Sequence, residues 1–432
     1  MLLNTVIGIV AEYNPFHNGH GYQISQARKI LGDVPVVAVM SSSFTQRGEA
    51  AIFNKWTRAQ LAVAGGVDLV LELPVIYACR SSEKFAQGAI GTLAATGLVS
   101  HLVFGTETEN PEILSELACA TINKNLLKKY LKSGLAYGAA MEKTLLEKSS
   151  AGNCTPSDSS GEIANLLRGP NNILALDYYR ALNKLHSSIV PLSIPRQGSC
   201  YKETALSTAL PSAAALRKEL INKGFTLQVK KAMPETSANL LAESIQQQRI
   251  GINKNNAVLL LNYVLSTYTP DKIKNFCDCS EGLENKMTRE TRAKTLEEIV
   301  ANIKSKRYPA TRIQRLLCQL LISTDQAPFT ATATLAPSYI RVLAFNDRGR
   351  KLLAHMKSTA SLPIITKLKK NILTEQAGTP FALTLQTEIA ATNLYDLLTG
   401  NGCFNQDFLQ HLEPSSQEHH GRIVRTTMPQ KG

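Results

Sequence analysis

The sequence predicts the α/β class: a Rossmann-like parallel sheet in the first half, followed by a mainly α-helical domain. Short apolar runs rich in β-branched residues recur at 6–11 (VIGIVA), 34–40 (VPVVAVM), 67–73 (VDLVLEL) and 99–104 (VSHLVF). Strands buried on both sheet faces have this composition. Stretches of helical periodicity lie between them, at 19–31, 54–65 and 82–97, and such alternation builds parallel βαβ units. From about residue 225 onward apolar residues recur mostly at helical spacing, as in TRIQRLLCQLLI (311–322), where Ile313, Leu316, Leu317, Leu320 and Leu321 form one stripe.

The first run lacks a basic lead and passes into EYNP, so it reads as a strand and not as a cleaved signal peptide. A helical segment at 171–186 leads into a further strand at 187–194, and the small, polar residues 150–161 (SAGNCTPSDSSG) read as a surface loop. A chain of 432 residues exceeds one compact core. The expected division is residues 1–225, residues 226–412, and a loose polar tail over 413–432. No apolar run reaches the roughly 18 residues that span a bilayer, so a cytoplasmic protein without a membrane partner is expected. Eight cysteines are scattered along the chain, only Cys277 and Cys279 lying close together. Free thiols in a reducing compartment are the expectation.

The net charge of +13 is uneven: residues 221–432 hold 27 Lys and Arg against 17 Asp and Glu, residues 1–220 only 20 against 17. A basic second domain suits an anionic polymer. Segment 304–315 contributes Lys304, Lys306, Arg307, Arg312 and Arg315 with Tyr308 among them, and 341–370 includes Arg348 and Arg350. Such cations hold phosphates, and a tyrosine beside them can stack on a base.

The chemistry is expected in AEYNPFHNGHG (11–21). Ligands of open α/β sheets sit beyond the carboxyl ends of the strands, where this segment falls. A helix opening near Asn18 offers free backbone N–H groups to an anion. Pro15 and Gly19 suit a tight turn, and Gly19 lets a phosphate approach the backbone. At i and i+3, His17 and His20 project on one side of the first turn, where imidazole N–H groups can bind charge developing on a phosphate. The other reading is two surface histidines in a turn capped by Asn18.

The core FHNGH resembles the H-x-G-H signature of the nucleotidyltransferase superfamily. A longer ordered series resembles one family, the bacterial tRNA(Met) cytidine acetate ligases: EYNPFHNGH (12–20), AVMSSSFTQRGEAA (38–51), KWTRAQLAVAGGVDLVLELP (55–74), FGTE (104–107), PNNILALDYYRAL (170–182), YIRVLAFNDRGRKLL (339–353) and SLPIIT (361–366). The resemblance implies a nucleotidyltransferase-like domain that activates acetate with ATP as acetyl-adenylate, releasing pyrophosphate. It then acetylates N4 of the wobble cytidine of elongator tRNA(Met), the basic domain holding the tRNA.

By that resemblance ATP is a co-substrate bringing Mg²⁺, and there is no permanently bound cofactor. Val10, Ala11, Glu12, Tyr13, Asn14, Pro15, Phe16, His17, Asn18, Gly19, His20 and Gly21 wrap the ATP, with His17 and His20 catalytic. Gly105 receives the adenosine, and Asn171 (also a helix cap by its place after Pro170) and Arg196 contact the nucleotide. Arg217 and Arg47 are further contacts to triphosphate or acetate. Lys55 and Arg58 belong to the site or to a solvated helix face. Asp68 and Glu72 have no partner at metal-ligand spacing, so no metal site is expected. The chain departs from the family pattern at Ser41–Ser43, Ala50, Lys202 and Glu203, Ala214 and Cys318. An adenylyltransferase acting on a small phosphorylated metabolite and a non-catalytic RNA-binding protein remain as alternatives.

Overall fold

A computed structural model describes residues 5–415 except 109, 121, 134, 136, 150–162, 164–165, 168, 197–210, 247, 249, 280–281, 290–292, 306–307, 323–336 and 401. The expected loop at 150–161, nearly all of the expected tail, and Lys202, Glu203, Lys306 and Arg307 therefore lie outside the described residues.

Seven strands form one sheet in the order β5-β4-β1-β2-β3-β6-β7. Their ranges are β1 Ile7–Ala11, β2 Val36–Ser41, β3 Leu69–Leu73, β4 His101–Thr106, β5 Val190–Pro195, β6 Ile340–Phe345 and β7 Ile364–Ile365. The first five pair in parallel, β1 lying between β2 and β4 with Ile9 opposite Ala38 and Val103. Alternation along β2 divides its side chains between two cores. Val37 and Val39 pack on one face with the helices Ser82–Ala95 and Pro170–Lys184. Val36, Ala38 and Met40 pack on the other with α1 (Asn18–Leu31) and α2 (Lys55–Ala64). This is the doubly covered sheet that the apolar runs predict.

Beyond residue 225 the chain is mainly helical, and a third core lies among helices between Lys254 and Ile322. The chain then returns to the sheet, which departs from the division expected at 225. β6 pairs antiparallel with β3, and β7 pairs with β6. The run IRVLAF is wholly buried and satisfies the backbone edge that β3 would otherwise leave open.

Lys55 is fully buried and not on a solvated helix face. Its Nζ lies 2.6 Å from Glu72, 3.0 Å from Glu388 and 2.9 Å from Asp407. Arg341 on β6 shares Asp407 at 2.6 Å. This ion cluster joins α2, β3, β6 and the helices Pro380–Thr399 and Gln406–Leu409. Burial pushes the Glu388 carboxyl up to about 7 despite Lys55 beside it. Burial alone would raise Asp407, but Lys55 and Arg341 hold it down to about 2. Asp68 is structural too, accepting the Val36 N–H at 2.8 Å and Arg28 at 3.1 Å.

Candidate active site

The loop after β1 turns sharply at Tyr13, whose φ is 41°, and is then pinned from three sides. The Asn14 side chain accepts the Ile52 N–H at 2.8 Å, Arg217 donates to the Asn14 carbonyl at 2.9 Å, and Arg58 donates to the Glu12 carbonyl at 2.6 Å. Arg58 is buried like Lys55 and also donates to the Ser41 and Ser42 carbonyls, so it ties the end of β1 to the end of β2. Phe16 fills the space above Gly65, where any Cβ would overlap its ring.

His17 itself caps α1, which corrects the reading of an Asn18 cap. Its Nδ1 accepts the Gly19 N–H at 3.0 Å, and its own N–H donates to His20 Nδ1 at 3.2 Å. The Asn18 side chain turns away and donates to the Lys231 carbonyl at 2.8 Å. The cap itself requires a small residue at Gly19, since a Cβ there would stand 2.9 Å from the His17 ring.

The two imidazoles stack with centroids 3.8 Å apart and 26° between planes. Because each Nδ1 accepts a backbone N–H, each neutral ring carries its proton on Nε2. Burial, with Arg196 and Arg217 nearby, pushes the His17 pKa down to about 3. Burial, His17 and Arg196 hold His20 well below the ordinary histidine value. Both rings are therefore neutral N–H donors at pH 7.

These donors open into a cleft of about 460 Å³ at the carboxyl ends of the parallel strands. Of the residues expected there, Val10, Ala11, Glu12, Tyr13, Asn14, His17, His20, Arg47, Gly105, Asn171, Arg196 and Arg217 line it. Pro15, Phe16, Asn18, Gly19 and Gly21 do not; they shape the turn and the start of α1 behind it. Gly105 makes room for Arg196, since a Cβ would lie 3.1 Å from the arginine Cγ.

Two further helix N-termini reach the cleft. The helix Pro170–Lys184 begins with Gly169 as its cap, so Asn171 lies inside the first turn and is not the cap. Asn171 donates to Glu107 at 2.6 Å. The helix Ala213–Lys223 is capped by Ser212, which accepts the Ala215 N–H at 3.2 Å and lines the cleft two residues before Ala214. Three helix N-termini and three arginines around one cleft are an arrangement that can hold an anion.

Arg47 sits on a hairpin that the Gln46 N–H anchors to Glu12 at 2.8 Å. Gly48 at its tip has φ 81°, and a Cβ there would come within 2.6 Å of the Arg315 backbone, so the helix Ala310–Ile322 abuts this wall. Gln23, Thr45, Gln46, Glu49, Ser82, Phe85, Phe104, Leu174, Tyr178 and Ser212 also line the cleft and were not foreseen. Gln23 had a readable signal, one turn beyond His20 on the same helix face. Leu174 and Tyr178 lie one and two turns beyond Asn171 on its helix, whereas Ser82 and Phe85 come from a separate helix that only the sheet order brings to the cleft.

The expected tRNA contacts are not one surface. Arg312 donates to the Asp278 carbonyl at 2.9 Å, and Arg315 pairs with the Asp278 carboxylate at 3.4 Å. Arg348 pairs with Asp33 at 3.0 Å and Arg350 with Asp347 at 3.3 Å. Asp33 precedes β2, so Arg348 stands at the amino ends of the strands, opposite the cleft. Tyr308 is only 7% exposed and packs in the helical core, so its ring is not an open stacking platform. Lys304 is exposed. Among the described residues no group of three or more His, Cys, Asp or Glu could hold a metal ion, and no helix is long and apolar enough to cross a membrane.

Fold and cleft together define a nucleotidyltransferase of the H-x-G-H type. A family model described as HIGH Nucleotidyl Transferase matches residues 4–408. The tRNA(Met) cytidine acetate ligase of Alkaliphilus metalliredigens is 38% identical over 94% of this chain and 97% of its own. That of Halothermothrix orenii is 37% identical over 91% and 94%. The crystal structure of apo Thermotoga maritima TmcAL superposes with a TM-score of 0.85 at 30% identity, covering 94% of this chain and 99% of that one. The form bound with alpha-thio ATP gives 0.83 at 31% identity, covering 94% and 98%. The chain belongs to the tRNA(Met) cytidine acetate ligase family within the HIGH nucleotidyl transferases.

Proposed function

We infer that this chain is an ATP-dependent ligase that converts acetate to acetyl-adenylate and transfers the acetyl group to N4 of the wobble cytidine of elongator tRNA(Met). The observation that carries this reading is the pair of neutral imidazoles, each with its proton on Nε2, that line a cleft ringed by helix N-termini and arginines. The near-full-length similarity to tRNA(Met) cytidine acetate ligases supplies the substrates, and the alpha-thio ATP complex of the Thermotoga maritima protein supports ATP as the nucleotide.

In the first step an acetate oxygen attacks the α-phosphorus, the bond to the bridging oxygen breaks and pyrophosphate leaves. Negative charge moves onto the leaving group and the phosphoryl oxygens, where fixed donors stabilise it without reorganisation. His17 and His20 supply two such donors, and Arg196 and Arg217 lie close enough to lower the His17 pKa. In the second step N4 attacks the acetyl carbon, AMP leaves and the N4 proton goes to solvent. Neither step needs a nucleophilic side chain; the cleft acts by positioning and charge. The triphosphate brings its own Mg²⁺ in this reading.

The test is ATP–pyrophosphate exchange with and without acetate, followed by mass analysis of tRNA(Met) incubated with the protein. Acetate-dependent exchange and a mass gain of one acetyl group are expected. Exchange indifferent to acetate would point to a metabolite adenylyltransferase, and tRNA binding with no exchange would point to a non-catalytic binder.

A further inference from the structure

The cations expected to meet tRNA are largely engaged by carboxylates or carbonyls, whereas a helix in the first half is not. The helix Lys124–Lys132 (KNLLKKYLK) carries Lys124, Lys128, Lys129 and Lys132 and no acid. All four are exposed, and none pairs with a carboxylate among the described residues. Lys124, Lys128 and Lys132 follow i, i+4, i+8 spacing and form one stripe. The other side of the helix holds Leu127 against the main core.

This basic helix packs on the helix Tyr137–Ser149, which carries the exposed Lys143 over the Tyr130 ring at 5.7 Å. Behind it, a Cβ on Gly138 would lie 3.6 Å from the tip of Ile173. Ile173 sits between Asn171 and Leu174, two residues of the cleft wall. The lysine stripe therefore belongs to a helical hairpin docked on the helix that forms that wall.

We propose that the helix Lys124–Lys132 docks the phosphate backbone of the tRNA substrate, an assignment that rests on the ligase reading above. The stripe extends over about 12 Å at 1.5 Å per residue. A small anion cannot meet its three ammonium groups together, whereas a chain of phosphates can. Flexible, unpaired lysines give sequence-independent, salt-sensitive contacts that hold a nucleic acid without reading it.

The test is tRNA binding by the full-length chain across a salt series, comparing wild type with Lys124→Gln/Lys128→Gln/Lys132→Gln. The triple variant is expected to bind tRNA about tenfold more weakly near physiological salt, with the slope of log K against log[salt] reduced by about 2 to 3. Acetate-dependent ATP–pyrophosphate exchange should stay at the wild-type rate, and the corresponding Lys→Arg triple should bind as wild type does. Unchanged affinity and slope would overturn the proposal, as would exchange that falls in step with tRNA binding. If the wild type itself shows no acetate-dependent exchange, the ligase reading fails; the salt slopes still report whether this helix meets RNA.

Discussion

In the cleft, the histidine rings are set by the backbone: two imidazoles receive main-chain N–H groups on Nδ1, which leaves the proton of each neutral ring on Nε2. In the second half, several cations of the same nominal kind are turned toward the protein. Arg315 meets Asp278, Arg348 meets Asp33, and Arg341 lies in the buried cluster with Lys55. A donor serves a ligand when local geometry leaves it nothing else to bind. Net charge counts both kinds alike, so the +13 total does not by itself locate a surface for a nucleic acid.

The sharpest way to break this contrast is to remove a cation that serves only the fold. Lys55→Met leaves three buried carboxylates around an apolar side chain. It should cost about 3–5 kcal/mol of stability in denaturant titration. A loss below 1 kcal/mol would show that the cluster is not a structural tie between the sheet and the C-terminal helices.

Gly19→Ala acts on the other side of the comparison. Its methyl would press on the His17 ring, and acetate-dependent exchange should fall about tenfold or more, since removing one fixed donor costs a factor of about 10²–10³. Full activity would mean that the His17 cap geometry is not used in catalysis.

The pH profile tests whether both imidazoles work as neutral donors. His17 has a folded pKa near 3, below the ordinary 6.5. The folded state therefore disfavours its charged form, and stability present above 6.5 is lost as pH falls toward 3. Exchange by the folded enzyme should show no histidine inflection between pH 8 and 5. A limb near 6.5 that vanishes in a His17 variant would contradict neutral donation.

The smallest effect is expected at Arg348, a half-exposed cation paired with the exposed Asp33 at the end of the sheet away from the cleft. Arg348→Ala should leave the denaturant midpoint close to that of wild type and the KM for tRNA unchanged. A tenfold rise in that KM would restore this patch to the RNA surface.

Much of this was legible in the sequence. Strands β1 to β4 announce themselves as apolar runs because they are largely buried in the sheet, whereas the edge strand β5 is mostly exposed or half-buried. The histidine loop is legible because one short segment carries the turn, the cap and both donors. β6 is six residues long and lies in a stretch otherwise read for its charge; its partner β3 is about 270 residues earlier in the chain, so periodicity cannot point to it. Thr45, Phe85 and Tyr178 reach the cleft from three separate elements, and only the sheet order makes them neighbours. Tyr308 has basic neighbours while its own ring is core, and composition does not tell a stacking ring from a buried one.

The most direct test of the account is the response of two activities to one substitution, His20→Ala. With the Nε2–H donor gone and the charged surfaces untouched, acetate-dependent ATP–pyrophosphate exchange should fall by at least about 10²-fold, while tRNA affinity stays within about twofold of wild type. Equal losses in both would mean that His20 holds the structure together and does not act on phosphate, and the central claim would fail.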